Sequence, residues 1–391
     1  MNVEQQHTYL DYNASAPLRP QVREALLDAY QSPGNASSVH FYGRQARGVI
    51  ESARQQVAAL VDGIAANVIF TSGGTEANVM ALTPNWLKKG QEYKFDRLFV
   101  SAGEHPSVLS GGQFVEERVT QIALTPDGLL DLNDLRSKFS NIGADEKVLV
   151  AIHAANSETG VLQPLVEIGV IVEDAGHTLH VDAVQAAGRL DLSQPMIACH
   201  SMAISAHKLG GPQGVGALIL GHGDFRPAPM MRGGGQEGWR RAGTENIAGI
   251  AGFAAAAKLA VNEEERARVF ELHSYLEAQL SQMSENIQII GQEVPRLPNT
   301  TCFSIVGMSA ETALIAFDLE KIALSSGSAC SSGKVGRSHV LSAMQLDAAQ
   351  INGALRISLG WKSTKADVDH FLQALSKISL RMRKGRERAL L

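Results

Sequence analysis

A chain of 391 residues is long enough to bury a large core and to form two domains, and 45% hydrophobic with 19% charged content is ordinary for a globular protein. A formal charge of −5 gives no electrostatic footprint for nucleic acid, and no apolar run reaches the length of about eighteen residues that crosses a membrane. The first residues lack the basic and apolar segments of a secretory signal, and the three cysteines, Cys199, Cys302 and Cys330, match no zinc or CxxC spacing, which suits a reducing, cytoplasmic setting.

In chain order, residues 9–17 read as a short strand running into a turn, followed by a helix over 22–30 and a Gly/Ser-rich segment over 33–38. Val49, Ala53, Val57 and Leu60 fall at helical spacing and predict a long helix over 45–61. From there short β-rich runs (68–71, 97–101, 119–123, 148–152, 179–182, 202–205, 217–220) alternate with helical stretches (76–87, 107–117, 132–139, 165–175). Alternation on this scale predicts an α/β core with a mainly parallel sheet. An alanine-rich helix over 247–259 and a charged helix over 263–283 come next, before mixed strands (287–290, 301–306, 355–358) and helices (311–319, 365–383). This pattern predicts a large domain over 13–260 and a smaller α+β domain made of 1–12 and 261–391. The basic end over 381–391 reads as a solvated helix end.

Several residues stand where chemistry is expected. Lys208 follows the apolar run Met202-Ala203-Ile204 and precedes Gly210-Gly211-Pro212, so it sits at the end of a buried strand before a tight turn. Desolvation there favours the neutral amine, the form that makes a Schiff base. In Val68-Ile69-Phe70-Thr71-Ser72-Gly73-Gly74-Thr75-Glu76 a strand passes through glycines into a helix start, a geometry that suits a phosphate and is neither GxGxxG nor a Walker loop. Asp182 ends a β-rich run, where it either caps the next segment or holds a ring nitrogen; paired with a lysine Schiff base, the second role fits pyridoxal 5′-phosphate. His105 follows a strand and suits a ring stacked on a cofactor. Arg356 is a charge inside an apolar strand, to be met by a substrate carboxylate or by a structural salt bridge. Cys199 and Cys302 lie in apolar stretches and pack as small hydrophobes, whereas Cys330 lies in a Ser/Gly-rich segment that suits a reactive thiol.

Taken in order, the stretches LDYNASAP, NASSVHFYGR, FTSGGTEAN, EHPSV, ANSETG, HVDAVQ, SAHKLGGPQGVG, GGGQEGWRRAGTEN, SSGSACSSG and LRISLG resemble the class V aminotransferase family of pyridoxal-phosphate enzymes, and within it the NifS/IscS-type cysteine desulfurases of the first group. The resemblance runs from Tyr9 to about Ile378 and implies a fold-type I transferase acting on L-cysteine as a homodimer. It implies that Lys208 bonds covalently to the cofactor and moves protons at the substrate Cα, that Asp182 pairs with the pyridine nitrogen, and that Gln185 hydrogen-bonds the ring hydroxyl. Gly74, Thr75, Ser205 and His207 would bind the phosphate, with Thr244 reaching in from the partner subunit; His105 would stack on the ring. Arg356 would hold the substrate carboxylate, with Asn13 beside it, and Cys330 would take the sulfur as a persulfide for iron–sulfur cluster assembly or another acceptor. A selenocysteine lyase or an aminotransferase of the same family is the alternative, and a loop thiol such as Cys330 sets a desulfurase apart from an aminotransferase. Many relatives carry two asparagines where this chain has Asn156-Ser157, which leaves both residues as candidate cofactor contacts. The basic tail does not resemble the one by which housekeeping relatives dock an iron–sulfur scaffold protein.

Overall fold

The structure is a computed structural model that describes residues 7–326 and 337–389. A seven-stranded sheet runs in the order Val68–Thr71, Gly216–Leu220, Ser201–Ser205, Thr178–Asp182, Val148–His153, Arg97–Ser101, Val119–Ile122. All neighbours are parallel except Gly216–Leu220, which is antiparallel to both of its partners. The reason is local. Only the turn from Ala206 to Val215 separates Ser201–Ser205 from Gly216–Leu220, too little chain for the crossover a parallel neighbour needs. The central strands are buried on both faces, so they read as continuous apolar runs, and one large core packs them against helices that include Phe41–Ala59 and Ile247–Ala260.

A second sheet, wholly antiparallel, has the order Ile287–Ile289, Thr300–Ile305, Ala354–Ser358, Ser325–Ser326. It has a core of its own, built from Leu10 and from residues between Val269 and Ile378. Thr8–Tyr9 pairs in parallel with Ile322–Ala323, and Asp11 bridges Ser358, so the start of the chain is tied to this second sheet before it crosses to the first.

Two predicted helices are shorter than expected. The helix predicted over 76–87 is Gly74–Ala81, because the residue before a proline is driven out of the α region and Thr83-Pro84 follows at once. Asn85–Lys88 then forms a hairpin with Gln91–Lys94, with Trp86 buried between Phe95 and Phe225. The helix predicted over 107–117 is the single turn Pro106–Leu109, ended by Gly111 and Gly112 at φ +76° and +59°. A Cβ on Gly112 would lie 2.3 Å from the Leu82 carbonyl oxygen, so the chain has to pass there without a side chain.

Candidate active site

A cleft of about 410 Å3 opens between the two sheets, at the carboxyl ends of the parallel strands, where open α/β sheets bind ligands. Lys208, Asp182, Gly74, Thr75 and His105 reach it from the large sheet; Asp11, Ser325, Ser326 and Arg356 reach it from the other side.

Lys208 closes a single 3-10 turn, Ala206–Lys208, that follows the strand Ser201–Ser205. The chain can turn away at once because Gly210 adopts φ +79°. The Nζ of Lys208 donates to the carbonyl oxygens of Asn13 and Ala14, the latter at 2.9 Å, so the opening segment crosses directly over it. Beside it, burial and the neighbouring Lys208 and Arg189 charges push the His207 ring down to about 4, which keeps it neutral near pH 7.

Asp182, at the end of Thr178–Asp182, is held from both oxygens: Asn78 Nδ2 donates at 2.8 Å and the Val184 N–H at 3.0 Å. Asn78 in turn donates to Ser107 Oγ at 2.9 Å and accepts from His180 Nε2 at 3.0 Å. Burial pushes His180 down to about 4, so the ring is neutral. Its Nε2–H faces the Asn78 oxygen, and its Nδ1 is left to accept from Ser201 Oγ at 2.8 Å. The carboxylate therefore sits at the end of a buried, neutral hydrogen-bond relay.

His105 caps the turn Pro106–Leu109 by accepting from the Ser107 N–H at Nδ1, 3.1 Å away, which assigns the proton of the neutral ring to Nε2. Burial lowers its proton affinity against the pull of Asp182, and Lys208 and His339 lower it further. Beneath it, the buried Glu104 carboxylate holds the His153 ring at 2.7 Å and also accepts from the His153 N–H at 2.7 Å, fixing the turn that carries His105.

The anion end of the cleft is the start of the helix Gly74–Ala81, whose N-cap, Gly73, supplies no side-chain cap to the first N–H groups. A Cβ on Gly74 would meet Val184 Cγ2 at 2.7 Å, and the side chains of Thr75 and Ser205 line the same end. Uncapped backbone donors, two hydroxyls and a bare glycine fit a phosphate group. Thr244 does not line this cleft; it lies in a separate depression with Arg241, Glu245 and Asn246. Asn156 is buried, donating to the Gly103 carbonyl at 3.0 Å and accepting from the Glu158 and Thr159 N–H groups, so it shapes its own loop while Ser157 lines the cleft.

On the opposite wall, Arg356 pairs with Asp11 at 2.6 Å and donates to the Ser157 carbonyl at 2.8 Å. Its Nε is buried without a partner among the described residues. Both roles read for this arginine from the sequence are thus compatible with its position: a salt bridge is present, and a donor is left over. Asn13 donates to the Ser157 carbonyl and to Thr300 Oγ1, and the Gln185 amide donates to the Asn13 carbonyl at 3.0 Å. Next to this wall, burial pushes the Glu158 carboxyl up to about 7, with the Ser338 hydroxyl at 2.6 Å and the Arg356 charge opposing the rise.

Cys330 lies outside the described residues. Cys199 and Cys302 are buried, and burial pushes both thiols up to about 12, so neither supplies a thiolate at neutral pH. Among the described residues no His/Cys/Asp/Glu group could hold a metal, and no helix is long and apolar enough to cross a membrane.

Sequence reasoning missed Asn78, Ser107, His180 and Arg189. Asn78 had a readable signal, lying four residues after Gly74 on the same helix face, and His180 lies two before Asp182 on the same strand face. Ser107 and Arg189 were harder to read, since each takes one of its partners, Asn78 and Asn13, from a distant segment.

A sequence model of the aminotransferase class-V family matches residues 8–371. A protein named cysteine desulfurase IscS from Dictyoglomus turgidum is 36% identical over 385 residues, covering 96% of this chain and 95% of that relative. An IscS-like cysteine desulfurase from Mycobacterium tuberculosis is also 36% identical, covering 96% of this chain and 97% of the relative. Among solved structures, a NifS-like protein from Rickettsia africae superposes with a TM-score of 0.86 at 34% identity, over 96% of this chain and 99% of that one. The family match and the relatives' identities both extend over nearly the whole length, and the chain belongs to the class V aminotransferase family.

Proposed function

We propose that this protein is a pyridoxal 5′-phosphate-dependent cysteine desulfurase that converts L-cysteine to L-alanine and carries the sulfur as a persulfide on Cys330. The observation that carries the reading is the convergence of Lys208, Asp182, His105, Arg356 and an uncapped helix start on one cleft. Relatives named cysteine desulfurase over nearly the whole chain narrow the chemistry to sulfur.

When bound, pyridoxal 5′-phosphate supplies an aldehyde carbon and a cationic ring that withdraws electrons from the substrate Cα. Lys208 would hold that aldehyde and then move the Cα proton. Asp182, oriented by Asn78, would keep the ring nitrogen protonated. Gln185 would hydrogen-bond the ring hydroxyl, and His105 would stack on the ring with its Nε2–H available. Gly74, Thr75, Ser205 and His207 would take the phosphate, with Thr244 contributed by the second subunit of a homodimer and Ser157 at the cofactor edge. Arg356 would grip the substrate carboxylate with the help of Asn13. The Cys330 thiolate would attack the substrate sulfur: an S–S bond forms and the C–S bond breaks. The electron pair of the broken bond stays with the three-carbon fragment, which is protonated and leaves as alanine. A sulfur-acceptor or iron–sulfur scaffold protein in the cytoplasm would take the persulfide sulfur. A core built mainly from residues 13–260 and another built from residues 1–12 and 261–391 support a division into those two parts.

The test is mass spectrometry after incubation with L-cysteine, expecting one added sulfur on Cys330. Cys330→Ala is expected to stop sulfide release while keeping the visible cofactor band. Undiminished desulfuration by that variant would overturn the reading.

A further inference from the structure

Arg189, next to the cleft, is a partly buried arginine whose recorded acceptors, among the described residues, are all neutral. Its Nη1 donates to Asn13 Oδ1 at 2.7 Å and to Gln185 Oε1 at 2.8 Å, and its Nη2 reaches the Tyr12 carbonyl at 3.5 Å. The other arginines around the site are matched: Arg356 with Asp11, Arg19 with Glu265, and Arg266 with Asp191. A guanidinium has no acceptor capacity, so it can meet an amide only at the oxygen. That requirement turns both amides. Gln185 must give its oxygen to Arg189, which directs its NH2 group toward the Asn13 carbonyl and the cleft; Asn13 must give its oxygen likewise, which directs its NH2 toward Ser157 and Thr300. Arg189 and Lys208 meet on the same residue, the lysine at the Asn13 carbonyl and the arginine at its side chain. Both line a second, smaller cavity, and Lys208 lines the main cleft as well.

We propose that Arg189 is a positioning residue that sets the orientation of the Gln185 and Asn13 amides and leaves an unneutralised positive charge beside Lys208, holding the lysine nitrogen in its deprotonated, bond-forming state. The proposal rests on the pyridoxal-phosphate reading above. Among the described residues, the charged and titratable groups facing Lys208 come from the cleft and from the smaller cavity. In the cleft they are Asp11, His105, Asp182, His207 and Arg356. In the smaller cavity they are Arg19 with Glu265, and Arg266. The neighbouring pairs Arg356–Asp11 and Arg19–Glu265 largely cancel, whereas Arg189 does not. Burial and repulsion from Arg356 press the Arg189 guanidinium down to about 9, which still leaves it charged at neutral pH.

The experiment titrates the visible absorbance of the protein loaded with pyridoxal 5′-phosphate as a function of pH, without substrate. Arg189→Gln removes the charge and keeps a hydrogen-bond donor. It is expected to move the midpoint of the band upward by about one pH unit, a tenfold change in the acid dissociation constant. Arg189→Lys restores the charge and is expected to return the midpoint to within a few tenths of a unit of the parent. If Arg189→Gln does not fold, Asn13→Asp neutralises the same guanidinium in place and is expected to shift the midpoint in the same direction. An unmoved midpoint in the folded neutral variant, or a shift that Arg189→Lys fails to reverse, overturns the proposal. A parent protein that shows no visible band on loading overturns the cofactor reading instead, so the two failures are distinct.

Discussion

The two walls of the cleft are built differently. On the side of the seven-stranded sheet, Asp182 is the terminus of a relay in which Asn78, Ser107, His180 and Ser201 each meet a partner, and the histidine is neutral. On the side of the four-stranded sheet, charges dominate, and buried donors remain over: Arg356 Nε and Ser326 Oγ have no partner among the described residues. A satisfied network in a low-dielectric interior holds one geometry. A wall with leftover donors is completed by whatever binds. The first wall therefore suits a resident cofactor, and the second a substrate that comes and goes.

This contrast can be broken by experiment. The largest effect is expected at Lys208, which sits on the resident side: Lys208→Ala should lower desulfuration by on the order of 10³-fold and abolish borohydride trapping of the cofactor. Retained trapping would show that another amine takes the aldehyde.

The next largest effect concerns stability and the second wall. The folded state prefers the protonated form of Glu158, whose carboxyl is raised from its ordinary value of 4.5 to about 7. That contribution is fully present below about pH 4.5 and is lost as the pH rises through about 7. Glu158→Gln mimics the protonated group and keeps an acceptor for Ser338. It should match the parent at pH 4 and exceed it above pH 7 by up to roughly 3 kcal/mol, read from denaturant unfolding curves at each pH. A difference independent of pH would remove Glu158 from the account.

Arg356→Lys keeps the charge and loses the planar fork, so the KM for L-cysteine should rise roughly thirtyfold with little change in cofactor affinity. If cofactor affinity fell instead, the division between resident and visiting walls would be wrong. Asn78→Ala should do the reverse: cofactor affinity weakens roughly tenfold, measured by absorbance titration, while the KM stays within a fewfold of the parent.

Much of this was readable in one dimension. The alternation of short apolar runs and helical spacings specifies a mainly parallel α/β core because strands buried on both faces must be apolar throughout. The strand-end lysine, the strand-end aspartate and the glycine turn carried their chemistry in their local context, since each role depends on residues within a few positions. Other features were beyond that reach. The antiparallel course of Gly216–Leu220 follows from a turn too short to cross over, and the early end of the helix Gly74–Ala81 from Pro84 just beyond it. Nothing in its local sequence sets Arg189 apart from other arginines. Only folding brings it against Asn13, 176 positions away, and only there does a guanidinium without a matching carboxylate become visible. Local sequence determines which groups can do chemistry because strand ends, turns and helix starts are short-range structures. The charge around those groups is a sum over distant segments, and tertiary packing alone decides which of them arrive.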